Sequence, residues 1–241
     1  MSIRTRYEKE LTGVFDNLVL MCRHIETAIE KCVKALEQRD FELADEVYAE
    51  DKLIDQMERE IEQSCLRLLL MEHPVANDFH EVTAALKMIT DLERIGDQAR
   101  DIAEIVTQFG DEEYIKKLEH IPQMAVIVIR MVKDGVHAYI THDLELARSL
   151  DRTDDKVDNL FNTVMADLTA LIRNNPDNAE QAVLFMMITK YLERIGDHAV
   201  NIGEWVEYAI TGERPDNESH RTKLGLNRLN RSNSRREEKR Q

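Results

Sequence analysis

The chain has 241 residues, with 8 Gly, 4 Pro, one Trp and a third of its side chains charged, which is helix-forming material and poor material for strands and hairpins. Its formal charge of −15 is unevenly spread, because Arg221 to Arg240 holds eight of the 32 basic residues and only Glu237 and Glu238 oppose them, leaving the body at about −21. So acidic a body excludes a general nucleic-acid binder, which needs Lys and Arg gathered on one face, and favours metal cations or basic protein surfaces as partners.

A 3.6-residue period predicts six helices, at 4–38, 40–71, 77–109, 115–141, 143–173 and 178–211. In the first, Leu11, Phe15, Leu18, Cys22, Ile25 and Ile29 repeat at three and four residues while Glu and Lys fill the other face. Arg39-Asp40 and His142-Asp143 read as sharp turns, each aspartate capping the helix that follows. His73-Pro74 and Asn174-Asn175-Pro176-Asp177 end the second and fifth helices, since proline lacks an amide donor and pushes the preceding residue out of the αR region. Asn77 or Asp78 is then placed to cap the third. The fold expected is all-α: a first three-helix repeat at 1–109, a second at 110–214, and a basic disordered tail at 215–241, whose few apolar residues are too little to offset the entropy of ordering it.

The division into two repeats rests on an exact duplication. Leu92-Glu93-Arg94-Ile95-Gly96-Asp97 returns as Leu192-Glu193-Arg194-Ile195-Gly196-Asp197, and Ala99, Ile102, Glu104 and Val106 meet Ala199, Ile202, Glu204 and Val206 at the same offset. Upstream, Asp40-Phe41-Glu42-Leu43-Ala44 resembles Asp143-Leu144-Glu145-Leu146-Ala147, which sets Asp51 and Asp55 opposite Asp154 and Asp158.

These positions carry the candidate chemistry. Glu93, Asp97, Asp101 and Glu104 share one helix stripe, and Glu193, Asp197 and Glu204 repeat it with Asn201 in the third place. Like charges four apart cost a helix roughly 0.2–0.5 kcal/mol each, so a cation has to lie against the stripe. Arg94 and Arg194, one residue along, are expected to pair with other helices. If the second acidic pair of each half, Asp51 with Asp55 and Asp154 with Asp158, aligns with the stripes, the candidate metal ligands are Asp51, Asp55, Glu93, Asp97, Asp101, Asp154, Asp158, Glu193 and Asp197. An oxygen-only set suits hard ions such as magnesium, calcium, manganese or ferric iron. A solvated acidic face is the plain alternative. Gly96 and Gly196 add weight, because glycine inside a helix costs about 1 kcal/mol against alanine and marks close approach of another helix.

Several chemistries leave no trace. A ferritin-like metal oxidase needs Glu-x-x-His pairs, and no Glu here has a His three residues later. There is no Gly-rich nucleotide-binding loop, and Cys22, Cys32 and Cys65 lack a Cys-x-x-Cys spacing, as expected of buried thiols in a reducing compartment. Met21, Met88, Met124, Met131, Met165, Met186 and Met187 read as core filler. The start lacks the layout of a signal peptide, and the longest apolar run, Ala182 to Ile188, is too short to span a bilayer, so a cytoplasmic binding module is expected rather than an enzyme.

With a duplicated Glu-Arg-Ile-Gly-Asp helix and an acidic pair in each half, residues 8–211 resemble the PhoU family of phosphate-specific transport system accessory proteins. The resemblance implies two similar three-helix bundles side by side, commonly dimeric, so a homodimer is expected. It implies a regulator that connects a phosphate ABC transporter ATPase to a phosphate-sensing histidine kinase and represses phosphate-starvation genes when phosphate is plentiful. Such a protein reaches the membrane only through its protein partners and binds no specific nucleic acid. The resemblance also implies bound iron, zinc, magnesium or manganese at Asp51 and Asp55, Glu93 and Asp97, Asp154 and Asp158, and Glu193 and Asp197; Asp101 against Asn201 breaks the match between halves. A metal-storage or metal-sensing protein of the same fold is the alternative. The basic tail lies outside the resemblance.

Overall fold

A computed structural model describes residues 3–71, 76–110 and 113–215. Among them run six α-helices and no strand: α1 (Ile3–Gln38), α2 (Phe41–Met71), α3 (Ala76–Val106), α4 (Ile121–Thr141), α5 (Leu144–Asn174) and α6 (Ala179–Thr211). The two tight turns form as the sequence predicts. Arg39 and His142 take positive φ, 56° and 55°, to end α1 and α4. Asp40 and Asp143 then accept the Leu43 and Leu146 amides through Oδ1 at 3.0 and 2.9 Å, starting α2 and α5.

Two expectations are corrected. The fourth helix begins at Ile121, not 115, because a helix already running at 115 would place Pro122 in its interior, against the carbonyl four residues back; near the first turn the missing amide is harmless. The segment before it is a fastened crossover instead. Tyr114 donates to the Leu36 carbonyl at 2.7 Å, its ring meets Phe109 and Phe185, and Gln181 bridges the Ile115 amide and the Glu113 carbonyl. Asp78 does not cap α3; it lies buried in the first turn, accepting from Arg4 at 2.6 Å. α3 itself ends at Val106 and tightens into a 3-10 turn over Thr107–Phe109. The break at His73-Pro74, the Asn77 side chain and the tail beyond Pro215 lie outside what is described.

Packing follows from the duplication. α1, α2 and α3 form one bundle and α4, α5 and α6 the other; α3 meets α6 and α1 meets α4 across the join. The helices thus form a row in the order α2, α3, α6, α5, with α1 and α4 as a second layer beneath it. A continuous core fills the space between layers, with Leu18, Met21, Ile25 and Ile29 of α1, Met131 and Tyr139 of α4, Leu92 and Ile95 of α3, and Leu192 and Ile195 of α6 all inaccessible or nearly so. Each such Leu or Ile contributes roughly 1.5–3 kcal/mol relative to exposure. Met21, Met88, Met124 and Met131 are core as expected, while Met187 is exposed. The three cysteines are buried and free, and among the described residues no helix is long and apolar enough to cross a membrane.

Candidate functional site

The acidic stripes lie midway along α3 and α6, in the centre of the four-helix row. In the first lobe, the period of α3 turns Asp97 and Asp101 toward Asp51 of α2, and Arg100 lies between them. Its Nη1 donates to Asp51 Oδ2 at 2.8 Å and to Asp97 Oδ1 at 2.6 Å, and its Nη2 to Asp101 Oδ1 at 3.0 Å. Burial works to lower the Arg100 pKa, but the hydrogen bonds to Asp51 and Asp101 and the charges of Asp51 and Asp97 outweigh it, so the guanidinium is held charged. Burial raises the Asp51 pKa above the usual carboxylate value even against Arg100. Glu93 is also raised, by burial first and by the neighbouring Asp97 charge second. Asp55 has Arg59 of its own helix at 3.7 Å.

Arg94 departs from expectation. Instead of reaching another helix it curls along α3, with Nη1 3.1 Å from Asp97 and Nε 3.5 Å from Glu93, because an arginine side chain is long enough to wrap to the residue three places on. Glycine 96 does mark a close helix: a Cβ there would lie 3.1 Å from two methyl carbons of Ile54.

In the second lobe the same helical frame carries different charges. Val200 stands where the first lobe has Arg100 and is buried. Asp154, 5% exposed, lies over Gly196, where an added Cβ would come within 2.5 Å of its Oδ1. Glu193 is nearly buried and pairs with Lys190, whose Nζ also sits 5.6 Å from the Phe161 ring centre. Burial raises the Glu193 pKa, the Lys190 hydrogen bond opposes this, and the charges of Asp197 and Asp158 add to the rise. Asp158, Glu193 and Asp197 therefore share one electrostatic environment.

The donor set can be compared with what an ion requires. Among the described residues no three His, Cys, Asp or Glu side chains converge closely enough to hold one. In the first lobe the reason is visible: a guanidinium already takes the central cation position, so Asp51, Asp97 and Asp101 fit a metal only if Arg100 leaves. The second lobe has no arginine at that position, and its oxygen ligands suit a hard cation once their side chains turn toward one another.

A polar cluster that the sequence reading missed joins the lobes. Asp91 Oδ1 meets His198 Nδ1 at 2.9 Å and accepts from Asn201 at 3.1 Å, and its Oδ2 accepts from Trp205 Nε1 at 3.2 Å. The reciprocal position is filled by Tyr191, whose hydroxyl hydrogen-bonds Asp101; burial first and that carboxylate second raise its pKa. Contacts 91 to 201 and 191 to 101 are interchanged by the repeat offset, so α3 and α6 cross antiparallel about a local twofold axis. The signal in the sequence is divergence within the repeat: Asp91 against Tyr191, Asp101 against Asn201, and Arg100 against Val200.

The PhoU domain model matches the chain twice, over residues 18–106 and 121–206. A phosphate-specific transport system accessory protein PhoU homolog of Clostridium acetobutylicum is 34% identical over 214 residues, covering 88% of this chain and 98% of the relative. The crystal structure of PhoU from Pseudomonas aeruginosa superposes with a TM-score of 0.81 at 32% identity, covering 86% of this chain and all of the other. That of the phosphate transport system regulatory protein PhoU from Streptococcus pneumoniae gives 0.80 at 26% identity, covering 87% of this chain and 99% of the other.

Proposed function

Because the chain belongs to the PhoU family, we propose that it is an accessory regulator of phosphate uptake, acting in the cytoplasm as a non-enzymatic adaptor. In this reading it couples the ATPase of a phosphate transporter to a phosphate-sensing histidine kinase and represses phosphate-starvation genes when phosphate is plentiful. The observation that carries the reading is the pair of matched domains, over residues 18–106 and 121–206, whose stripes on α3 and α6 bring carboxylates to the surface at the centre of the α2, α3, α6, α5 row. Such a surface is suited to basic segments of partner proteins, since complementary charge steers encounter and suppresses wrong partners. A magnesium, manganese, iron or zinc ion belongs to the same reading at the second lobe, where Asp158, Glu193 and Asp197 would hold it; its positive charge would offset their repulsion. A homodimer is the assembly this reading expects.

The test is affinity capture of the full chain from its native cell, grown in high and in low phosphate, with partners identified by mass spectrometry. Enrichment of a phosphate-transporter ATPase or a sensor kinase, stronger in high phosphate, is the expected result. Capture of neither, together with abundant co-purified metal, would replace the adaptor by a metal-storage or metal-sensing protein.

A further inference from the structure

The layer beneath the acidic row carries a cavity of about 420 Å³ between α1 and α4. That volume lies within the range of roughly 300–1,000 Å³ typical of small-molecule sites. The space is left because the side chains facing one another there, Val19 and Cys22 of α1 and Val136 of α4, are short, while Arg23, Lys133 and His137 beside them are exposed. Together with Ile140 the short side chains make an apolar wall. Cys22 belongs to that wall and is no nucleophile: burial first and the Glu26 charge second push its thiol up to about 12, so it stays protonated at neutral pH.

Most charges at the rim already have partners. Lys133 reaches across from α4, its Nζ 3.1 Å from Glu26, and the Cys22 thiol donates to the same carboxylate at 3.4 Å. Asp134 is taken by Arg130 at 3.4 Å. Arg23 and His137 are left over: both line the cavity, yet among the described residues neither side chain has an ion pair or hydrogen bond. In so acidic a body, a guanidinium beside a cavity and without a carboxylate is a vacancy for an anion. The fold itself does not require it. At the offset that aligns Asp40 with Asp143, Val126 stands for Arg23 and Ile129 for Glu26, so the other end of the α1–α4 seam is built without these charges.

We propose that this cavity binds a small amphipathic organic monoanion, with its carboxylate on Arg23 and its hydrocarbon body against Val19, Cys22, Val136 and Ile140. The guanidinium offers a planar fork matched to a carboxylate, and His137 supplies a further donor. Glu26 and Asp134 limit the charge the site accepts, because two carboxylates at the rim repel a multiply charged ligand more than a singly charged one. An ion without hydrocarbon, such as inorganic phosphate, also leaves the apolar wall unused. The occupant touches α1 and α4 together and so bridges the two bundles. The site lies apart from the acidic row, and the inference does not depend on the phosphate-regulator reading.

Sodium octanoate is the probe that tests it. Methyl NMR spectra of the full chain, labelled at Val and Ile, are recorded as octanoate is added at constant ionic strength. Saturable shifts confined to Val19, Val136, Ile140 and their immediate neighbours are expected. No shift at millimolar octanoate, or shifts spread over exposed apolar side chains elsewhere such as Val126 and Val183, would overturn the proposal. Butyrate should bind at least about tenfold more weakly than octanoate, since each buried methylene is worth up to about fourfold. Arg23→Gln should weaken octanoate at least about tenfold while leaving the helix content unchanged, because Arg23 is exposed. Equal affinities of the two acids, or of wild type and variant, would refute the site. Inorganic phosphate at the same concentration and ionic strength should leave these methyls unmoved; if it shifts them as octanoate does, the cavity is a plain anion site and the proposal fails.

Discussion

At the position where the first lobe carries Arg100 the second carries Val200, and around that one exchange the two acidic sites take different forms. The first is self-neutralised: a guanidinium on α3 ties Asp51, Asp97 and Asp101 together at 2.6–3.0 Å. The second leaves Asp158, Glu193 and Asp197 in one field with Lys190 at its edge, and tucks Asp154 over Gly196. Duplication thus kept the helical frame and the carboxylates while the cations were placed separately in each copy. A repeated motif of like charges specifies a demand for positive charge, and different groups can meet it.

The sharpest way to break this comparison is Arg100→Met. It removes the cation and leaves Asp51 and Asp97 with side chains only 11% and 16% exposed, so a loss of about 2–3 kcal/mol in urea unfolding is expected, below the value for a fully buried pair. Millimolar magnesium should then restore part of the loss in the variant's first lobe. If magnesium raises the Tm of wild type and variant equally, Arg100 is not standing in a cation's place.

Packing differs between the lobes as well. Gly203 of α6 corresponds to Ala103 of α3, and a Cβ at 203 would come 2.8 Å from the Ala147 carbonyl oxygen and 3.0 Å from Leu150. Backbone cannot yield as a side-chain tip can. Gly203→Ala should therefore lose about 1–2 kcal/mol after the helix-propensity gain, while Gly96→Ala, which meets only Ile54 methyls at 3.1 Å, should change stability by less than about 1 kcal/mol. Equal losses in chemical denaturation would mean that the Ala147 carbonyl yields as readily as the Ile54 methyls.

The smallest expected effect is on pH dependence. Asp51, Glu58, Glu93 and Glu193 all have carboxyl pKa values raised by burial, so the folded chain holds protons more tightly than the unfolded chain. Stability then grows as pH falls from neutrality toward the ordinary carboxylate range, and is lost as pH rises through the raised values. A higher Tm on the acid side of neutrality, toward the ordinary carboxylate range, than near about pH 7.5 is expected, with a shallower slope in Glu193→Gln. A flat profile, or one that falls on acidification, would show that these acids are no more strained folded than unfolded.

The sequence by itself determined six helices, the two Asp-capped turns, the repeat and the positions of the acidic residues, because periodicity, capping and glycine or proline punctuation act over a few residues. It also held the start of α4, since Pro122 is a local signal; Ile115 and Leu118 ahead of it are apolar, and their side chains pack as a crossover against the core. Only the tertiary structure decided what faces the acids. Arg100 answers Asp51 from 49 residues away, Asp91 meets Trp205 from 114 away, and Asp154 meets Gly196 through the packing of α5 on α6. Charge neutralisation falls off over a few ångströms in space irrespective of separation along the chain, so a repeat shows where the acidic stripes are, and the fold determines which cation each of them receives.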